Sequence, residues 1–330
     1  MRQSGYSASR LLLFAAFYCL ILLSDRAFAQ QDPINSQYIF NGLSLNPAFA
    51  GYKEAVSIAL DYRNQWTGLD GAPKSFFASA DAPLNRANMG LGIEFSHDQA
   101  GLQQTQRLYL SYAYRLQLTE DSRLSFGLGI GGAQYSLDGT RYDPIQPNDP
   151  ILIPSLNIIT RPDMKAGLLF ANSHYFAGLS FTDLLSNFRT NDAAYLLIKR
   201  RIHSYFSAGA IYNLNRNLKI KPSLLIREDF KSPGAADLNC FLIFNNRLWT
   251  GVSYREGLRL GRASALQTDL SANQAWVFMV QLYLADNLRL GYSFDYAATR
   301  LQQVSSGTHE ISLGYTFRRK NASMLTPRFF

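Results

Sequence analysis

The chain has 330 residues, of which only 17% are charged, with a formal net charge of +8; 47% are hydrophobic and 13% aromatic, including 22 Phe and 19 Tyr. So many rings exclude a disordered chain, and a mean hydropathy of −0.11 excludes a bundle of long apolar helices. Low charge with abundant aromatics points to an all-β protein, and best to a membrane β-barrel.

The first element stands apart from the fold. Arg2 and Arg10 make a basic start, Leu11 to Leu23 is apolar apart from Tyr18 and Cys19, and Ala27-Phe28-Ala29 is a small-residue cleavage signal. This is the pattern of a secretory signal peptide over residues 1–29, and its removal leaves no helical span. Phe17-Tyr18 before Cys19 argue against a lipid-anchor site. With Cys19 gone, Cys240 stands alone, which excludes an internal disulfide and a cysteine zinc cluster. Its neighbours Leu238, Leu242 and Phe244 predict a buried or lipid-facing thiol.

Residues 30–53 follow as an irregular segment. Pro33, Asn35, Asn41, Gly42, Asn46, Pro47 and Gly51 break any period, yet Tyr38, Ile39, Phe40, Leu43, Leu45 and Phe49 need a surface to cover them. A wide barrel has a lumen that its own side chains do not fill. The segment is therefore expected to pack in or under that lumen, as a plug or a periplasmic contact.

From residue 54 to 318 the dominant signal is alternation with a period of two. Leu108, Leu110, Tyr112, Tyr114 and Leu116 alternate with Tyr109, Ser111, Ala113, Arg115 and Gln117. Leu288, Leu290, Tyr292, Phe294 and Tyr296 alternate with Asn287, Arg289, Gly291, Ser293 and Asp295. Strands show this when their two faces meet different media. Fourteen such segments are marked, near 54–63, 74–82, 88–97, 104–117, 122–137, 162–171, 174–182, 201–213, 217–228, 236–245, 247–256, 270–284, 287–298 and 307–318. Links after even-numbered segments are short. Those after odd-numbered segments are longer, the longest being Asp138–Arg161 with four prolines. Tight periplasmic turns and long external loops produce this sorting, and it places both termini in the periplasm. Residues 319–330 form a C-terminal tail.

Few motifs carry chemistry. Gly127, Gly129 and Gly132 fit a dinucleotide fingerprint, but Phe126, Leu128 and Ile130 alternate straight through them, so no helix follows to hold a pyrophosphate. Gly127, Gly129 and Gly131 instead make a small inward face, where a strand bends or another segment approaches. His97, His174, His203 and His309 form no close pair at metal-ligand spacing, and His309-Glu310 point to opposite faces of a strand. Glu94 and Asp295 are candidate lumen carboxylates, and Arg115, Arg227 and Arg289 candidate lumen cations, expected to pair with one another. Lys199-Arg200-Arg201 and Arg318-Arg319-Lys320 flank the membrane and suit anionic lipid or lipopolysaccharide rather than nucleic acid. Trp66, Trp249 and Trp276 suit interfacial aromatic girdles. No catalytic, metal or cofactor residue is assigned, so the expectation is a protein that is not an enzyme.

A resemblance follows from particular residues. Gln37-Tyr38, Asn46-Pro47-Ala48-Phe49-Ala50-Gly51 and Tyr62-Arg63-Asn64-Gln65-Trp66 open the mature chain. Trp249-Thr250-Gly251 follows later, and Ser306-Gly307-Thr308-His309-Glu310-Ile311 closes it. In these the chain resembles the PorP/SprF family of type IX secretion system membrane proteins, over nearly all its mature length. The resemblance implies an outer-membrane barrel of the Bacteroidota acting with the type IX export and gliding machinery. It implies binding to machinery subunits or to a secreted adhesin or other client, for export or surface attachment. Asn46, Pro47, Gly51, Tyr62, Arg63, Gln65, Trp66, His309 and Glu310 match the family pattern without a role attached. The alternative is an outer-membrane porin or hydrophobic-solute channel. A hydrolase would need a Ser/His/Asp cluster, for which nothing in the sequence speaks.

Overall fold

The computed structural model describes residues 35–84, 88–141, 156–186, 201–229, 234–258, 275–297 and 304–317. The expected signal peptide, the C-terminal tail and Lys199-Arg200 lie outside these. Fourteen antiparallel strands close into one barrel. They are β1 (Val56–Asn64), β2 (Lys74–Leu84), β3 (Met89–Ala100), β4 (Gln103–Gln117), β5 (Arg123–Asp138), β6 (Leu156–Ala171) and β7 (Tyr175–Thr182). Then come β8 (His203–Ala210, resumed at Tyr212–Asn213 after a break at Ile211), β9 (Leu218–Glu228), β10 (Gly234–Phe244), β11 (Leu248–Leu258), β12 (Ala275–Ala285), β13 (Leu288–Ala297) and β14 (Thr308–Phe317). Each strand pairs with the next, and β1 pairs with β14 from Val56↔Phe317 to Asn64↔His309, which closes the ring. Closure gives every strand a partner on each side, the condition for backbone to cross a lipid core.

The alternation divides the wall into two media. Along β4 and β5, Leu110 is 56% exposed and Ile130 59%, while Ser111, Ala113 and Ser125 between such residues are buried. Strands β1, β3 to β6, β10 and β12 to β14 each carry three or more exposed large hydrophobic side chains in such an outer row. A continuous apolar band of this kind is not stable against water; it is the lipid face of a transmembrane barrel. Cys240 lies on it, with its thiol exposed. The buried side of the wall therefore faces the lumen.

Two local readings change. β6 begins at Leu156, six residues into the predicted loop before 162. Its added stretch continues the alternation and pairs with β5 throughout, whereas β7 reaches only Ala166–Ala171. Pro162 thus sits where β6 has a strand on one side only, which tolerates a missing N–H. The β3–β4 link is also short despite following an odd-numbered strand: a turn at Gly101-Leu102, with Gly101 at φ +58°.

Candidate functional site

The feature that distinguishes this barrel is the segment that precedes β1. It forms three short 3-10 turns, Ser36–Phe40, Gly42–Ser44 and Pro47–Phe49. Asparagines start two of them: Asn35 Oδ1 accepts from the N–H of Gln37 at 2.9 Å, and Asn46 Oδ1 from that of Ala48 at 2.9 Å, with Pro47 at the first position. Short polar caps and a proline favour turns of this kind over strand or long helix.

The segment lies on the inner wall, held by the wall's own polar residues. At the end of the barrel nearest the long connections, Glu310 on β14 accepts from the backbone N–H groups of Ser36 at 2.8 Å and Gln37 at 2.9 Å. Arg63, its cross-strand partner on β1, donates to Glu310 at 3.0 Å and to Asp295 at 2.7 Å. Ser36 Oγ donates to Asp295 at 2.8 Å. Arg255 links Asp295, at 3.4 Å, to Asp237 at 3.0 Å, and Arg227 completes the chain with Asp237 at 3.0 Å. Six charged side chains thus run along the inner wall from β9 to β1. Each has an opposite charge beside it, which makes their removal from bulk water tolerable.

Beyond these residues the segment descends and crosses the lumen. Phe40 packs edge-on against Phe241 and Trp249, at centroid distances of 5.4 and 5.7 Å, and its carbonyl accepts from Arg289 at 2.8 Å. Asn41 donates to Ser79 on β2 at 3.0 Å, and Asn46 to the Leu168 carbonyl on β6 at 2.9 Å. Arg115 donates to the Ala50 carbonyl at 2.6 Å, and the N–H of Gly51 to Asp81 at 2.9 Å. Glu54 pairs with Arg123 at the short-turn end of β5. The inner wall has glycine where the segment comes closest: a Cβ on Gly127 would strike the backbone of Pro47-Ala48, and one on Gly167 the Asn46 amide. Gly51 needs its own lack of a side chain, at φ +64°. Burial holds the phenols of Tyr38 and Tyr52 well above the usual tyrosine range, with Asp237 adding to the effect at Tyr38. Both stay neutral, and the Tyr38 hydroxyl accepts from Asn239 at 2.9 Å.

The residues named from the sequence therefore separate. Asn46, Pro47, Gly51, Arg63 and Glu310 converge on the segment and its anchors. Tyr62 does not, being 48% exposed on the lipid face. Nor do Gln65 and Trp66, which open the β1–β2 loop: their N–H groups donate to the Pro73 carbonyl at 2.9 Å and Thr308 Oγ1 at 3.1 Å. His309 faces outward, its Nδ1 2.8 Å from the Tyr292 hydroxyl and its ring 5.1 Å from that of Phe294. The lumen charges Glu94, Asp295, Arg115, Arg227 and Arg289 all point inward and are engaged, Glu94 with Lys165 at 3.2 Å. Trp249 corrects a prediction: it is 2% exposed inside the lumen, and not part of a girdle, because its strand presents it on the face opposite Val252. Trp276 does lie outward. Sequence reading missed Ser36, Asp237 and Arg255. The last two carried a signal, since each is a charge on the inner phase of its strand.

Beside the segment lies a cavity of about 120 Å³. Asn35, Tyr38 and Leu45 form part of its floor, and Asp61, Phe77 and Tyr109 part of its wall. Among the described residues no group of three or more His, Cys, Asp or Glu is placed to hold a metal ion.

A family model described as type IX secretion system membrane protein PorP/SprF matches residues 27–315. No curated protein matches the chain. Among solved structures, the CymD monoaromatic hydrocarbon channel is similar, with a TM-score of 0.53 at 11% identity over 90% of this chain and 96% of that one. A Pseudomonas aeruginosa FadL homologue has a TM-score of 0.47 at 10% identity, over 88% of this chain and 96% of that one. At such identities the likeness to CymD concerns the barrel fold alone.

Proposed function

The chain belongs to the PorP/SprF family of type IX secretion system membrane proteins, and from that premise we propose that it is a non-enzymatic outer-membrane barrel that works by binding other proteins. Its long connections take a secreted client such as a surface adhesin, for export or attachment, and its short-turn, periplasmic face meets subunits of the machinery. The observation that carries this reading is the anchored segment. It is bonded to β2, β6, β10 and β13, on different sides of the ring, and so stands across the path a solute would take. A barrel built in this way offers its ends, since lipid covers the outer wall.

Affinity capture from a detergent extract of the native membrane tests the proposal. Type IX components or a large secreted surface protein are expected with the barrel, and recovery of neither would refute it. The second reading, a channel for hydrophobic solutes, draws on the fold shared with a hydrocarbon channel and on the cavity beside the segment. Conductance of the intact protein in a planar bilayer would favour it.

A further inference from the structure

At the end of the barrel that bears the long connections, β6 outreaches its neighbour. β5 pairs with it from Leu156 to Ala171, but β7 only from Ala166 to Ala171. After β7 the chain turns at Asp183, which has φ +56°. The N–H of Leu184 then donates to the Met164 carbonyl at 3.2 Å, and that of Leu185 to the Asp163 carboxylate at 3.3 Å. Along an antiparallel strand the backbone groups of alternate residues point to opposite sides. Met164 thus points away from β5, and so do Pro162, Thr160 and Ile158. Pro162 has no N–H to offer. Thr160 and Ile158 present both N–H and C=O, and no described residue pairs with them on that side.

Two further features mark this edge. A tilted strand crosses the lipid core in about ten residues, which Phe170 to Thr160 supply. Ile158 and Leu156 lie beyond that stretch and are 53% and 57% exposed, so two apolar side chains stand in water at the unpaired end. On the opposite face, half-buried Arg161 has no acidic side chain in ion-pair contact among the described residues. An open row of N–H and C=O groups is a template for a second extended backbone. An added strand with an apolar side chain beside Ile158 and an acidic one beside Arg161 would satisfy all three features together.

We propose that the edge of β6 from Ile158 to Pro162 docks an extended segment of the secreted client. The segment adds one strand to the wall through the backbone of Ile158 and Thr160, and Arg161 takes an acidic side chain from it. The inference rests on the reading of this chain as a client-binding barrel and names the place and mode of contact. Pro162 limits the added strand on the membrane side, because it offers a carbonyl alone.

Residue-resolved hydrogen exchange on the full mature protein in detergent tests the edge. The amides of Ile158 and Thr160 are expected to exchange about a hundredfold faster than those of Ile159 and Arg161, which face β5. Equal protection of all four would mean that the chain covers its own edge, and overturns the proposal. The occupant is tested in native membranes, with a benzophenone maleimide attached through Ile158→Cys in a Cys240→Ser background. Adducts to a secreted surface protein are expected at about ten times the level given by the same probe at His97→Cys, three strands away on β3. Adducts to residues 187–200 of this chain, or none above that control, overturn the proposal. Thr160→Pro removes an edge N–H and spares the pairing with β5. It should lower the adduct about tenfold, whereas Thr160→Val should leave it unchanged. An undiminished adduct in a folded Thr160→Pro barrel overturns the backbone ladder. Affinity capture of a client without an adduct at residue 158 overturns this site and leaves the proposed function standing; failure of both experiments overturns both.

Discussion

Glu310 shows how much one side chain organises. Its carboxylate receives two backbone N–H groups of the segment and the Arg63 guanidinium, all within 3.0 Å. Glu310→Gln keeps the shape and removes the charge. Arg63 retains Asp295, while the two N–H groups lose an ionised acceptor, each such bond contributing about 1.5–3 kcal/mol. The variant is expected to remain a barrel, with amide hydrogen exchange at Ser36 and Gln37 accelerated at least tenfold over wild type. Unchanged exchange there would mean that the segment is held by its apolar contacts instead. At this scale the sequence showed Glu310 only as a matched position on a strand. That it faces Ser36, 274 residues away along the chain, follows only once β14 lies beside β1.

At the scale of elements, β5 and β6 form a cradle for the Pro47–Phe49 turn. Gly127 and Gly167 are directly paired across the two strands, so together they open one shallow place on the inner face. Gly127→Val would place its branches where the Pro47-Ala48 backbone runs. Overpacking of this kind costs about 1–3 kcal/mol. The expected outcome is a lower urea midpoint for unfolding from detergent, with new protease cleavage in residues 35–55 of a barrel that otherwise stays intact. A midpoint and a digest like those of wild type would show that the turn shifts freely. The strands themselves were readable because each carries its two-sided pattern locally. The start of β6 was not: Pro144, Pro147, Pro150 and Pro154 read as a loop reaching Arg161, and only the single-sided pairing beyond β7 explains how Pro162 fits within a strand.

For the whole molecule, the decisive relation is between the wall and what it encloses. Removing residues 35–50 from the mature protein should convert the barrel into a conducting pore, with single-channel conductance several-fold above that of the intact protein. If the truncated barrel does not assemble, the same test can be made on Glu310→Gln, where brief openings are expected. Equal conductance with and without the segment would show that it leaves the path clear and would strengthen the channel reading.

Period-two alternation, short links after even-numbered segments and the uneven spread of charge are local properties. They are imposed by two media on every strand alike, so the sequence by itself determined a fourteen-stranded membrane barrel. It also carried the residues of its family, though not their uses. Tertiary structure decided which inward charges meet, that Trp249 lies inside, and that Asn46, Pro47, Gly51, Arg63 and Glu310 serve one anchored segment. The physical reason is that a strand's pattern records which medium each face meets, while a contact across the lumen depends on ring closure and on the path of an irregular chain, neither of which leaves a period to read.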